Sequence, residues 1–111
     1  MNYSPISGII TGIGIGLSCA GMASAFTVEE IRQNMTTDER TIYVTGVVEG
    51  LAFARWLSDD RDPAGMNCIW GWYLGDDQRA VFDAQMDMFD KHPKQQVSTL
   101  MYALIREECG E

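Results

Sequence analysis

Paired carboxylates recur along this sequence, and such pairs could serve acid–base chemistry. They include Glu29-Glu30, Asp59-Asp60, Asp76-Asp77 and Glu107-Glu108. Adjacent residues on a helix point in different directions, and a catalytic acid and base need different degrees of burial to separate their pKa values. Because these pairs fall at predicted helix starts or on polar faces, we interpret them as caps and solvated surface.

The patterns for metal ligands and nucleophiles are incomplete. Met86-x-Met88 followed by His92 has a spacing typical of soft copper ligands, but Met86 falls on a predicted buried stripe and Met88 does not. The aspartate-rich segment 59–62 lacks the central glycine and closing glutamate of a calcium-binding EF-hand. One histidine and no G-x-S-x-G sequence argue against a Ser-His-Asp triad. We therefore predict no metal, no cofactor and no catalytic residue: a binding protein, not an enzyme.

The charge is strongly acidic and unevenly distributed. The 111 residues include 16 acidic and 8 basic side chains, giving a formal net charge of −8. All of them lie beyond Val28. Binding of nucleic acid or anionic lipid requires clusters of Lys and Arg to neutralise phosphates. Since the sequence has no such cluster, the charge argues against both as partners.

The uncharged N-terminal segment has the features of a signal peptide. An apolar stretch from Ile9 to Ala20 precedes Ala23-Ser24-Ala25, a small-x-small pattern that signal peptidase accepts. We predict that residues 1–25 are cleaved before Phe26, that the mature protein is periplasmic, and that it has no membrane segment after cleavage. An uncleaved anchor and lipidation at Cys19 are the alternatives.

Two cysteines, Cys68 and Cys109, follow this leader. An even pair in a small exported domain indicates a disulfide. Closing a loop of about 40 residues would stabilise the fold by about 4 kcal/mol, because it limits the unfolded chain. A Cys–His nucleophile pair using His92 is the alternative, which an oxidising compartment disfavours.

Helix-start signals and chain breakers divide the mature part. Thr27 with Glu30, and Thr36 with Glu39, are spaced as capping boxes. Gly110 is placed to end the last helix in a left-handed conformation. The sequence predicts an all-α domain over residues 26–111, a bundle of about four helices with one disulfide. Its helices are predicted at residues 28–34, 36–57, 77–91 and 93–108, with a polar loop at 58–65 and an aromatic segment at 66–74.

Apolar residues at helical spacing predict the core. The long second helix carries a stripe of Tyr43, Val47, Leu51, Ala54 and Leu57, widened by Val44, Val48 and Ala52. The third has Val81, Phe82, Met86 and Phe89, and the last has Val97, Leu100, Met101, Leu104 and Ile105.

A second flank of the long helix carries Gly46, Gly50 and Ala54 at four-residue spacing. Each glycine inside a helix costs ~1 kcal/mol relative to alanine. We predict a groove where the backbone of another helix approaches closely, either within one chain or in a homodimer. Tolerated glycines on an exposed face are the alternative.

Partner contacts are predicted at two places. Asp59, Asp60 and Asp62 lie in the polar loop, and Trp70 and Trp72 lie in the aromatic segment. The tryptophans fit a core that packs on the disulfide, or one of them fits an exposed anchor for a partner.

Four stretches between residues 40 and 109 form a characteristic series. They are Tyr43-Val44-x-Gly46-Val47-Val48-x-Gly50, Cys68, Phe89-x-x-His92-Pro93, and Val97–Ile105 followed by Cys109. In this order they resemble the Rap/Tai-type immunity proteins of type VI secretion. The chain departs from that pattern at Ile69–Trp72 and at Glu108, where the family has proline. The resemblance implies a small helical periplasmic protein that neutralises a peptidoglycan amidase injected by rival bacteria, by occluding its cleft.

The acidic charge fits a basic cell-wall amidase as the partner, because opposite charge speeds encounter. Acid-stress chaperones of the HdeA type fit the same composition. Below about pH 4 the carboxylates protonate and the net charge becomes positive, so self-repulsion would loosen the fold and expose apolar surface to clients. An envelope protein that shares only the fold is the third interpretation.

Overall fold

The structure is a computed structural model that describes residues 25–111. Residues 1–24, which hold Cys19 and almost all of the predicted signal peptide, lie outside the described residues. The predicted all-α fold with one disulfide is confirmed. The helices are α1 (Val28–Asn34), α2 (Thr37–Ser58), α3 (Ala64–Tyr73), α4 (Gln78–Lys91) and α5 (Val97–Cys109).

The caps form as the sequence predicts. Thr27 Oγ1 accepts from the Glu30 N–H at 3.1 Å, and Glu30 Oε1 accepts from the Thr27 N–H at 2.8 Å. Thr36 and Glu39 make the same reciprocal pair at the start of α2. Asp77 caps α4 by accepting from the backbone N–H of its third residue. These side chains satisfy N–H groups that the first turn of a helix leaves unpaired.

The aromatic segment differs from the prediction, because it is itself helix α3. Apolar side chains occupy most positions from Met66 to Leu74, so the segment shows no helical period. Gly65 and Gly71 also lower its helix propensity. The helix is stabilised by packing, with Ile69 buried against α2 and α5. The described residues thus form five helices, one more than predicted.

The last helix begins at Val97, not at Pro93 or Lys94 as predicted. The backbone of residues 26–29 forms hydrogen bonds with the backbone of residues 93–97. The carbonyl of Pro93 accepts from the Glu29 N–H at 2.8 Å, and the Val97 N–H donates to the carbonyl of Phe26 at 2.9 Å. The connection between α4 and α5 is itself a turn, in which the Gln95 N–H donates to the His92 carbonyl at 3.1 Å.

The buried face of α2 is displaced by one residue from the predicted stripe. Its fully buried residues are Val44, Val48 and Ala52, whereas Ala54 and Leu57 are exposed. One residue rotates the face by about 100°, which turns it toward α3 and α5, the helices that α2 packs on. Ala54 and Leu57, which the sequence predicts in the core, are therefore exposed because they lie on the flank of the stripe that faces away from Val44 and Val48.

The other two stripes set the rest of the core. All five predicted residues of α5 are buried, and Cys109 at its end is bonded to Cys68 of α3. On α4, Val81 and Phe89 are buried, but Phe82 is 56% exposed because α4 packs on α5 and the end of α3 and leaves a gap toward α2. Within residues 25–111, no helix is both long enough and apolar enough to cross a membrane.

Candidate protein-docking site

The connection between α2 and α3 is held by several backbone and side-chain hydrogen bonds. We call residues 53–65 the α2–α3 corner: the end of α2, the loop after it and the first turn of α3. Asp60 (φ 55°) and Arg61 (φ 65°) are consecutive non-glycine residues in the left-handed region. Such residues cost roughly 1 kcal/mol or more each and persist only where neighbouring contacts fix them.

Backbone bonds fix this loop. The Arg61 N–H donates to the Trp56 carbonyl at 2.8 Å, and the Asp62 N–H donates to the Asp59 carbonyl at 3.0 Å. Asp62 Oδ1 in turn accepts from the backbone N–H at the first residue of α3, at 2.9 Å. The loop therefore holds one defined conformation and supplies its own cap for α3.

Arg55 joins this corner to the end of α5. Its Nε donates to Asp59 Oδ2 at 2.8 Å, and its Nη1 donates to the Gly110 carbonyl at 3.0 Å. Its Nη2 lies 3.4 Å from the carbonyl of Cys109. The Arg55 side chain is only 17% exposed. A single guanidinium thus ties the loop, the disulfide and the C-terminal residues together.

Gly65 makes room for that ion pair. A Cβ at this buried position would overlap the Arg55 guanidinium and lie 2.8 Å from Asp59 Oδ2. The Cys68–Cys109 bond, with Cα atoms 5.9 Å apart, lies one turn further along α3 and connects α3 to the end of α5. The corner is therefore rigid because several independent contacts meet there.

The rigid corner exposes apolar side chains. Phe53 is 54% exposed and Leu57 is 48% exposed, one helical turn apart on α2. The rings of Phe53 and Trp56 lie 5.6 Å apart, and the Arg61 guanidinium lies 5.7 Å from the centre of the Trp56 ring. Large exposed side chains on a fixed backbone are typical of protein contact surfaces.

A hollow of about 360 Å³ lies beside the corner, between α2, α3 and the end of α5. Leu51, Ile69 and Ile105 contribute its apolar lining, and Tyr102, which is 48% exposed, also lines it. Ala54 of the predicted glycine flank is part of the same lining. A hollow of this size can accept a large side chain from a partner.

The three predicted loop contacts have different roles. Asp59 is bonded to Arg55 and is half-buried, so it belongs to the framework of the corner. Asp60 and Asp62 are exposed at its surface. Partner binding by these carboxylates stays a prediction. Of the three, the Asp60 side chain is the one that makes no hydrogen bond to a described residue, whereas Asp59 bonds Arg55 and Asp62 bonds the start of α3.

The two predicted tryptophans lie apart from that loop in the fold. Trp70 and Trp72 are half-buried on α3 and pack against the core. The large apolar side chains of the corner are instead Phe53 and Leu57, which are exposed, and Trp56, which is half-buried. The sequence did contain a signal for them, since Phe53 and Leu57 are four residues apart on the flank that faces away from Val44 and Val48.

Within residues 25–111, the predicted close approach of another helix to the glycine flank does not occur. No described atom lies within 4 Å of a Cβ built at Gly46 or Gly50, and Ala54 is exposed. A helix of a second molecule on this flank stays a prediction.

The side chains of Met86, Met88 and His92, which match the spacing of copper ligands, do not form one exposed cluster. Met86 and Met88 are half-buried against the core, whereas His92 is exposed. Among residues 25–111, no three His, Cys, Asp or Glu side chains are grouped so that they could hold a metal ion.

Comparison with protein-family models, curated proteins and solved structures gives no match for this chain.

Proposed function

We propose that this protein is an exported inhibitor that binds one enzyme of the cell envelope and occludes its cleft with the α2–α3 corner. The observation that carries the proposal is a rigid corner with exposed apolar side chains. Asp60 and Arg61 are held in a costly backbone conformation at the tip, near the exposed Phe53 ring and the half-buried Trp56 ring of α2. Of the enzymes in that compartment, a peptidoglycan amidase is the target that the sequence resemblance favours.

Rigidity supports inhibition in particular. A loop that is already ordered loses little conformational freedom when it binds, so more of its contact energy becomes affinity. Here the ordering is complete before binding, because Arg55 and the disulfide fix the corner from inside. Inhibitors that fill an enzyme cleft depend on this kind of preorganised surface.

The composition of the corner supports a protein as its target. Trp and Arg are enriched among the residues that dominate binding energy at protein interfaces, and Trp56 with Arg61 forms such a pair at the tip. The exposed carboxylates of Asp60 and Asp62 and the net charge of −8 favour a partner with a basic rim.

The test combines capture with an activity assay. Tagged mature protein is incubated with envelope extract of a competing bacterium, and the captured enzyme is purified and assayed for amide hydrolysis of peptidoglycan. We expect inhibition at equimolar concentration, with an association rate that falls as salt increases. The proposal would be contradicted if no envelope enzyme is captured, or if the captured enzyme is not inhibited.

A matched pair of variants locates the surface. Phe53→Ser removes the largest exposed side chain of the corner, and Ile42→Ser removes a side chain that is 72% exposed on the same helix. We expect Phe53→Ser to weaken inhibition at least tenfold and Ile42→Ser to leave it unchanged. Equal effects of the two variants would move the contact surface away from the corner.

A second candidate, an acid-activated chaperone, is favoured by the acidic excess of the chain, with 16 acidic and 8 basic side chains. Ion pairs also hold the structure: Arg55–Asp59 lies at the end of α2, and Arg32–Asp90 joins α1 to the end of α4. At low pH the net charge becomes positive and self-repulsion would loosen the fold, while the disulfide would keep α3 and α5 linked. This candidate predicts loosening and suppression of client aggregation at about pH 2–3; a chain that stays folded and inactive there would eliminate it.

A further inference from the structure

A groove separate from the corner lies between α2 and α4, and residues of α1 line one end of it. Its volume is about 350 Å³, within the size range of small-molecule sites. The buried side chains of Ile31, Val44, Val81 and Phe89 line it. Along α4 the lining runs from Gln78 to Phe89, a length of about 16 Å at 1.5 Å per residue.

The two ends of the groove have opposite character. Arg32 and Arg40 lie at the α1 end, where Arg32 Nη2 donates to Asp90 Oδ1 at 2.8 Å. At the other end are Tyr73 and Leu74, and Leu74 is 61% exposed. The groove thus has two guanidinium groups at one end, one of them paired with Asp90, and a mostly apolar lining with some threonine and glutamine side chains along the rest of its length.

The charge of the groove is opposite to that of the protein. The chain has twice as many acidic as basic side chains, yet the charged residues among the described groove lining are Arg32 and Arg40, with no carboxylate. Nε and Nη2 of Arg40 donate to backbone carbonyls at the end of α1, which holds this guanidinium in place. Its Nη1 makes no hydrogen bond to the described residues, so it is available to an anion.

We propose that this groove binds a single-chain amphiphile with a carboxylate head, such as a medium- or long-chain fatty acid. The carboxylate pairs with Arg32 and with Nη1 of Arg40, and the hydrocarbon chain lies over Val44 and Val81 toward Leu74. Binding removes apolar surface from water along the groove, including that of Phe82, which is 56% exposed. The charge-assisted bonds at one end fix the orientation of the chain. This site is separate from the α2–α3 corner and does not depend on the proposed inhibitor function.

The first experiment compares three amphiphiles of equal chain length below their micelle concentrations. Dodecanoate, dodecanol and dodecylamine are titrated into the purified protein, by calorimetry and by amide NMR shifts. We expect one dodecanoate per chain with shifts confined to α1, the first half of α2, the end of α3 and α4. Dodecanol should bind about tenfold more weakly because it lacks the ionic contacts, and dodecylamine should not saturate. Equal binding of all three, or no binding of dodecanoate, would overturn the proposal.

Substitutions then separate the head-group contact from folding. Arg32→Gln should weaken dodecanoate binding about tenfold, whereas Arg79→Gln removes the same charge from an exposed position of α4 outside the groove and should not. Asp90→Asn breaks the Arg32 ion pair but keeps Arg32, so affinity should stay equal or rise. A loss of affinity in Asp90→Asn equal to that in Arg32→Gln would show that the ion pair, not the guanidinium, matters, and would contradict the assigned contact.

Filling the groove is the second structural test. Thr41 is exposed on α2 and lines the groove, and Thr99 is exposed on α5 outside it. Thr41→Trp should abolish dodecanoate binding with the thermal midpoint unchanged, and Thr99→Trp should bind like the unmodified protein. Unchanged binding in Thr41→Trp would place the amphiphile elsewhere and overturn the proposal.

Discussion

The α2–α3 corner and the α2–α4 groove are built from the same long helix by opposite means. At the corner, a guanidinium that is 17% exposed makes bonds to the loop and to the end of α5, and a disulfide lies next to it. At the groove, α2 and α4 are held apart, and the ion pair that closes one end has side chains 34% and 69% exposed. The corner is overdetermined and can present a fixed shape. The groove is underfilled and can accept material from outside.

Of the changes considered, loss of the disulfide should lower the free energy of unfolding the most. Replacing Cys68 and Cys109 together by alanine should lower the free energy of unfolding by about 4 kcal/mol, because the unfolded chain regains the freedom of the closed loop. Urea unfolding of the double variant, with the reduced unmodified protein as control, measures this. A change below about 1 kcal/mol would mean that the corner does not depend on the bond.

Gly65→Ala should destabilise the corner by about 2 to 3 kcal/mol, because the added Cβ would push Arg55 away from its partners. Gly71→Ala is the matched control on the same helix. A Cβ at Gly71 meets no described atom within 4 Å, so alanine there should stabilise the fold by about 0.5 to 1 kcal/mol. The two alanines should therefore shift the urea midpoint in opposite directions. A shift in the same direction would show that Arg55 does not depend on the space at Gly65.

Removal of each guanidinium compares the two regions directly. Arg55→Met should cost about 2 kcal/mol, since it leaves Asp59 and a backbone carbonyl without their donor in a partly buried place. Arg32→Met should cost less than about 1 kcal/mol, since exposed ion pairs contribute little. Thermal unfolding of both variants gives the difference. Equal costs would remove the distinction between the two regions.

The glycine flank of α2 should give the smallest effect. Gly46→Ala and Gly50→Ala should each stabilise the monomer by about 0.5 to 1 kcal/mol, because the added methyl groups meet no described atom and raise helix propensity. Calorimetry at two protein concentrations checks this. Destabilisation relative to the unmodified protein that is larger at the higher protein concentration would instead show that a second copy packs on this flank.

The local signals in the sequence predicted much of the fold. Both capping boxes involve residues three apart, and the five core residues of α5 repeat at helical spacing, so each pattern is complete within one helix. The disulfide follows from there being only two cysteines beyond residue 25. These features need no knowledge of tertiary contacts.

The candidate site depends on contacts between distant residues, which the sequence does not reveal. Arg55 is bonded to the carbonyl of Gly110, 55 residues later. The buried face of α2 is set by how α3 and α5 pack on it, and the helical state of α3 depends on the same packing. The sequence therefore predicts partner contacts at Trp70 and Trp72, and does not single out the exposed Phe53 or the half-buried Trp56 of the corner.

Hydrogen–deuterium exchange of the inhibitor–enzyme complex tests the central proposal most directly. The proposed docking predicts that binding slows exchange in residues 53–65, with amides of α4 unchanged because the groove stays free. Protection confined to residues 78–91, with the corner exchanging as in the free protein, would contradict it.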